Sequence, residues 1–147
     1  MRFYYSDGTN CLACCVAGLF NRPIGITPAA PSFAKETDNQ GDWWHRFELW
    51  CRITLHHAIV IVQTDDPISG LWNIEIGYTE DNIAHAVICF GRDVFFNPSP
   101  QVSNTHPLAE KGHRYVFVPL AGATYNVQDL VYPEEVILRD GAWKSTQ

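Results

Sequence analysis

A chain of 147 residues, 46% hydrophobic and 13% aromatic, is large enough for one domain with a real core and too short for two ordinary ones. Its formal net charge of −6, without a basic stripe, gives no electrostatic support for nucleic-acid binding. Met1-Arg2-Phe3-Tyr4-Tyr5 lacks the apolar run of a signal peptide, and no uncharged apolar stretch approaches the ~20 residues that span a bilayer. The five cysteines (Cys11, Cys14, Cys15, Cys51 and Cys89) are odd in number, and two are adjacent, which makes a poor disulfide framework. They read as reduced thiols of a cytoplasmic protein.

Asp7-Gly8 reads as a turn and Asn10 as the N-cap of a first helix, from Cys11 to about Phe20. Leu12-Ala13-Cys14-Cys15-Val16-Ala17-Gly18-Leu19-Phe20 is apolar throughout, which predicts a central, buried helix. Residues 22–41 carry Pro23, Pro28, Pro31, Gly25 and Gly41 and read as irregular, with a turn of helix near Phe33-Ala34-Lys35. Asp42 is expected to cap a second helix over Trp43–Cys51, with residues 43, 44, 47 and 50 on its apolar face.

From Ile53 the period changes. Ile53 to Val62 reads as a strand, Asp65 to Gly70 as a turn, and Trp72 to Ile76 as an alternating strand. Ala84–Phe90, Val94–Phe96 and Arg114–Pro119 give three more strands, with a polar loop over Pro98–Gly112. Tyr132 to Leu138 adds a short helix or edge strand. Helices first and strands after predict an α+β fold, an antiparallel sheet packed against the Cys-bearing N-terminal helix. The whole chain, 1–147, reads as one domain with a core of about 7–120 and a C-terminal extension over 121–147.

Cys11 is the first residue of its helix, where the macrodipole and unpaired N–H groups are expected to lower a thiol's pKa and favour the thiolate. The competing reading is a small buried apolar residue. A nucleophilic cysteine needs a base and a group that orients the base. Of six histidines, His45 falls on a polar helix face, His106 and His113 lie in or beside the long loop, and His56 and His57 open an apolar strand without a polar companion. His85 begins a strand whose return partner ends at Asn97. A two-residue loop at Gly91-Arg92 would put Asn97 on the wrong face. A three-residue loop, or a bulge of equal effect, puts it on the face of His85. Asp93 is a weaker orienting group because it sits at the turn.

Asn10-Cys11-Leu12-Ala13-Cys14-Cys15-Val16-Ala17 resembles the cysteine helix of papain-like cysteine peptidases of the C39-like kind. His85-Ala86-Val87-Ile88 and Phe96-Asn97-Pro98-Ser99-Pro100 resemble their histidine strand and the strand end that follows it. The layout, with Trp43-Trp44 to Trp50 and Trp72-Asn73-Ile74, also resembles small bacterial and phage proteins of this fold. The likeness spans about residues 7–100. It implies a thiol protease or amidase in which Cys11 is the nucleophile, His85 the base and Asn97 the orienting residue. No cofactor or metal is implied, and the substrate would be a protein or peptide-like molecule. The sequence departs from the pattern in carrying Asn97 where close relatives have Asp. It also lacks a glutamine ahead of the cysteine as an oxyanion donor, with Tyr5 and Ser6 in that region instead.

A zinc site from Cys11, Cys14, His85 and Cys89 is disfavoured, because residues 85 and 89 of one strand lie ~13 Å apart. Two alternatives to the hydrolase stay open. One is a catalytically silent papain-like fold that binds a partner. The other is an acyltransferase or deamidase effector that uses the same residues.

Overall fold

A computed structural model describes residues 1–7, 10–28, 42–63, 68–99, 108–124 and 126–129. Helix α1 (Cys11–Leu19) has every residue after Cys11 buried, as its unbroken apolar sequence requires. The N-terminal segment runs alongside it, with Arg2 N–H bonded to the carbonyl of Gly18 at 3.1 Å. A Cβ at Gly18 would meet that Arg2 carbonyl at 2.5 Å, so only glycine allows this approach. A single 3₁₀ turn follows at Ile24–Ile26.

Helix α2 (Asp42–Trp50) continues directly into a π-helical turn over Cys51–Leu55. The strand expected from Ile53 therefore starts later, at His57. Phe47, Cys51 and Leu55 repeat at a spacing of four and pack into one core, so the helical face extends past the β-branched Ile53 and Thr54. His56 ends the turn in the left-handed region at φ 56°.

Five strands follow: β1 (His57–Gln63), β2 (Trp72–Tyr78), β3 (Ala84–Phe90), β4 (Asp93–Phe96) and β5 (Glu110–Pro119). They form one antiparallel sheet in the order β1-β5-β2-β3-β4. The α+β architecture expected from the sequence is present. β3 matches its expected bounds, whereas β5 begins four residues before Arg114 because Glu110 and Lys111 pair with Tyr78 and Gly77.

Strand alternation sorts the sheet into two faces. Trp72, Ile74, Ala86, Ile88, Tyr115 and Phe117 share a core with Leu12, Cys15 and Val16 of α1. The opposite face carries His85, Val87 and Cys89 of β3, with Asn73, Glu75 and Arg114 beside them in register. Leu108 packs on Val87 and Cys89. The expected elements near Phe33–Lys35 and over Tyr132–Leu138 lie outside the described residues, as do Gly8 and most of the Pro98–Gly112 loop.

Candidate functional site

The β3–β4 hairpin decides whether His85 and Asn97 meet. Gly91 and Arg92 form a two-residue turn, with Gly91 at φ 60°, the positive value that the first position of a II′ hairpin turn needs. A three-residue loop is therefore not used. Instead the register shifts inside the ladder: Cys89 pairs with Val94, but Ile88 pairs with Phe96. Phe95 is the extra residue of a β-bulge, and both Phe95 and Phe96 are buried in the aromatic cluster with Phe3. The one-residue shift carries Asn97 to the face of His85.

There the two side chains join. His85 Nε2 lies 2.8 Å from Asn97 Oδ1, and the Ser99 N–H donates to the same oxygen at 3.0 Å. A backbone N–H can only donate, so this atom is the amide oxygen and Nε2 carries the imidazole proton. In the neutral ring, Nδ1 is then an unprotonated acceptor. Among the described residues it makes no hydrogen bond, and it is not among the sealed polar atoms. Burial pushes the pKa of His85 down, partly opposed by the bond to Asn97, so the ring is held neutral at neutral pH.

Cys11 is half-buried at the N-terminus of α1. Its sulfur lies where the N–H of Ala86 can donate to it, together with the N–H groups of Leu12 and Cys11. The Ala86 N–H belongs to the peptide that links Ala86 to His85, so α1 delivers the thiol to the start of β3. Among the described residues no hydrogen bond joins Cys11 to His85. The thiol's pKa is raised, because burial outweighs the three N–H groups that lower it. The expectation of a depressed pKa at the helix terminus is corrected accordingly: desolvation outweighs the N–H groups gathered around the sulfur.

Asn10 does not cap the helix. Its side chain turns back, and Oδ1 accepts from the Asp7 N–H at 3.0 Å and from Ser6 Oγ at 3.0 Å. Ser6 N–H in turn bonds the carbonyl of Pro98 at 2.8 Å, tying this segment to the strand end that bears Asn97. Tyr5 packs at a tilt against Phe96, with ring centroids 5.6 Å apart.

The other histidines stay apart. His45 and His56 are exposed, and His113 meets the Tyr115 hydroxyl at 3.3 Å. His57 is buried, donates from Nδ1 to the Leu55 carbonyl at 2.7 Å and leaves Nε2 sealed without a partner. His106 lies outside the described residues. Asp93 is exposed at the turn, away from His85. The donors weighed for zinc fall into separate places. Cys14 packs with Tyr4 and Ala17, and Cys89 Sγ is 3.8 Å from Glu75 Oε2.

A polar cluster went unread in the sequence. Glu75 and Arg114, facing each other across β2 and β5, form a buried ion pair at 2.6 Å. Arg114 also donates to Asn73 Oδ1 at 3.0 Å, and Asn73 Nδ2 donates to the Gly91 carbonyl at 2.9 Å. Alternation places Asn73 and Glu75 on one face of β2, and the signal that this face is closed was Arg114 inside an apolar strand.

Comparisons with protein-family models, with curated proteins and with solved structures return no match.

Proposed function

We propose that this chain is a cysteine hydrolase of papain-like fold, acting on an amide, thioester or isopeptide carbonyl of a protein or peptide-like substrate. Cys11 is the nucleophile, His85 the base and Asn97 the residue that positions the imidazole. The observation that carries this reading is the bond from His85 Nε2 to Asn97 Oδ1, which leaves Nδ1 proton-free and open, next to the peptide that contacts the Cys11 sulfur.

In this reading the site rests as a neutral thiol and a neutral imidazole. Nδ1 removes the thiol proton as the sulfur attacks the carbonyl carbon. A C–S bond forms, the carbonyl electron pair moves to oxygen, and collapse expels the leaving group with the proton returned from Nδ1. Water, deprotonated by the same nitrogen, then releases the acyl group and regenerates the thiol. Five unpaired thiols, four of them buried, fit a reducing compartment and support the expected cytoplasmic setting.

Intact-mass analysis after exposure to p-nitrophenyl acetate tests the proposal. The expected result is one acetyl group on Cys11, removed over time by water and absent in Cys11→Ala. No adduct on Cys11, or an equal rate in His85→Ala, would overturn it.

The raised pKa of Cys11 and the missing bond to His85 favour one second reading, a silent papain-like fold that binds a partner. The two readings separate in the pH profile of Cys11 alkylation by iodoacetamide. Coincident curves for wild type and His85→Ala support the binding module, because the thiol is then uncoupled from the imidazole.

A further inference from the structure

Cleavage through an acyl-enzyme needs donors at the point where negative charge builds on the carbonyl oxygen. The Cys11 N–H, which has no helical partner at the first position of α1 and lies against its own sulfur, supplies one such donor. A side-chain donor is the missing part, since no glutamine precedes the cysteine within the first ten residues.

We propose that the side-chain amide of Asn10 is that donor, a catalytic residue of the reaction proposed above. Resting on that reading, the inference starts from a side chain that does something other than its position predicts. Asn10 sits at the N-cap of α1, yet makes no capping bond. Its Oδ1 is instead held from two directions, by the Asp7 N–H and by Ser6 Oγ. The Asp7 N–H identifies the oxygen, and with the oxygen pinned, the planar amide has one remaining orientation for Nδ2.

Among the described residues Nδ2 makes no hydrogen bond, and it is not among the sealed polar atoms. A pinned carboxamide with an open N–H₂ group, one residue from the nucleophile, is a preorganised donor that needs little reordering at the transition state. The holding groups belong to the site as well. Ser6 is bonded through its N–H to Pro98, the residue after Asn97, so the segment that fixes Asn10 is anchored on the strand end that fixes His85.

During attack the thiolate sulfur bonds to the carbonyl carbon and the π pair moves to oxygen. Asn10 Nδ2 and the Cys11 N–H then donate to that oxyanion. On collapse the pair returns, the bond to the leaving group breaks, and the His85 imidazolium supplies the proton. Asn10 gains and loses no proton in either step.

Alkylation by iodoacetamide forms no oxyanion, whereas acylation by p-nitrophenyl acetate does. Both reactions start from the same thiol, so their ratio divides out changes in its reactivity that act on both alike. The ratio is measured for wild type, Asn10→Asp, which keeps the acceptor oxygen, and Asn10→Ala, which adds no charge. The expected result is a fall of ~10²-fold in both variants with unchanged alkylation of Asn10→Ala; a ratio within about tenfold of wild type in either variant overturns the role of Asn10. Failure of the wild type to acylate at all overturns the hydrolase reading instead, which keeps the two failures distinct.

Discussion

Two polar clusters lie on the same face of the same sheet, and they differ in what they leave open. Asn73, Glu75 and Arg114 are 0%, 2% and 1% exposed, and the leftover atoms, Glu75 Oε1 and Arg114 Nε, are sealed. At the other end of β3, His85 and Asn97 are nearly as buried, at 5% and 6%. There Asn97 Nδ2 is sealed as well, but the leftover ring nitrogen is not among the sealed atoms, and the adjoining peptide N–H of Ala86 reaches the Cys11 sulfur. Residue burial alone would not separate the two. A site is marked by an unsatisfied atom that a substrate can reach, whereas an unsatisfied atom that nothing can reach only costs stability.

That contrast predicts opposite failures on mutation. At the open cluster, Cys11→Ala should abolish acylation and His85→Ala should slow it by ~10²–10⁴-fold, with the unfolding midpoint little changed. Asn97→Ala should cost less than His85→Ala, since the imidazole remains but loses its fixed tautomer. Urea unfolding and acetyl transfer measured on the same variants test this, and a His85→Ala protein that acylates normally breaks the contrast.

At the closed cluster, Arg114→Met should destabilise the fold by ~3–5 kcal/mol, because the Glu75 carboxylate is left buried without its partner. Arg114→Met combined with Glu75→Leu should recover most of that loss, while acylation per folded molecule stays at the wild-type rate. Failure of the double variant to recover would mean that the cluster does more than neutralise its own charges.

The pH dependence of stability sharpens the comparison. Burial pushes the Cys14, Cys51 and Cys89 thiols up to about 12, whereas in the unfolded chain they ionise near ~8.5. Above ~8.5 the unfolded chain releases protons that the folded chain keeps, so stability falls as pH rises. His85 acts in the other direction. Its folded pKa is lowered, so below ~6.5 the unfolded chain binds a proton that the fold refuses, and stability falls as pH drops. Urea midpoints should therefore plateau between ~6.5 and ~8.5 and decline on both sides, with the acid limb reduced in His85→Ala.

The smallest effects belong to the remaining cysteines. Cys14→Ala and Cys89→Ala should leave acylation intact and cost ~1 kcal/mol each in urea unfolding, the loss of one small buried group. A loss of acylation in either would move the nucleophile away from Cys11.

Much of this was legible in the chain. The apolar run after Cys11 makes a buried helix wherever it packs, and the β-branched, alternating segments from Trp72 onward make strands. The choice of His85 and Asn97 over the other polar residues followed from strand order and parity. The strand expected from Ile53 failed because Phe47, Cys51 and Leu55 prolong the helical face, a tertiary effect that overrides local β-propensity.

Local sequence determined most of the helices and strands but not all of their ends, because helix and strand periodicity act within a few residues. The tertiary structure decided everything that depends on a partner from elsewhere in the chain. The bulge at Phe95, held in the aromatic cluster with Phe3, turns Asn97 toward His85. The Ser99 N–H identifies the oxygen that fixes the imidazole tautomer. Burial of Cys11 against β3 raises a pKa that the helix terminus alone would lower, because desolvation is set by what surrounds the sulfur and not by its neighbours in sequence.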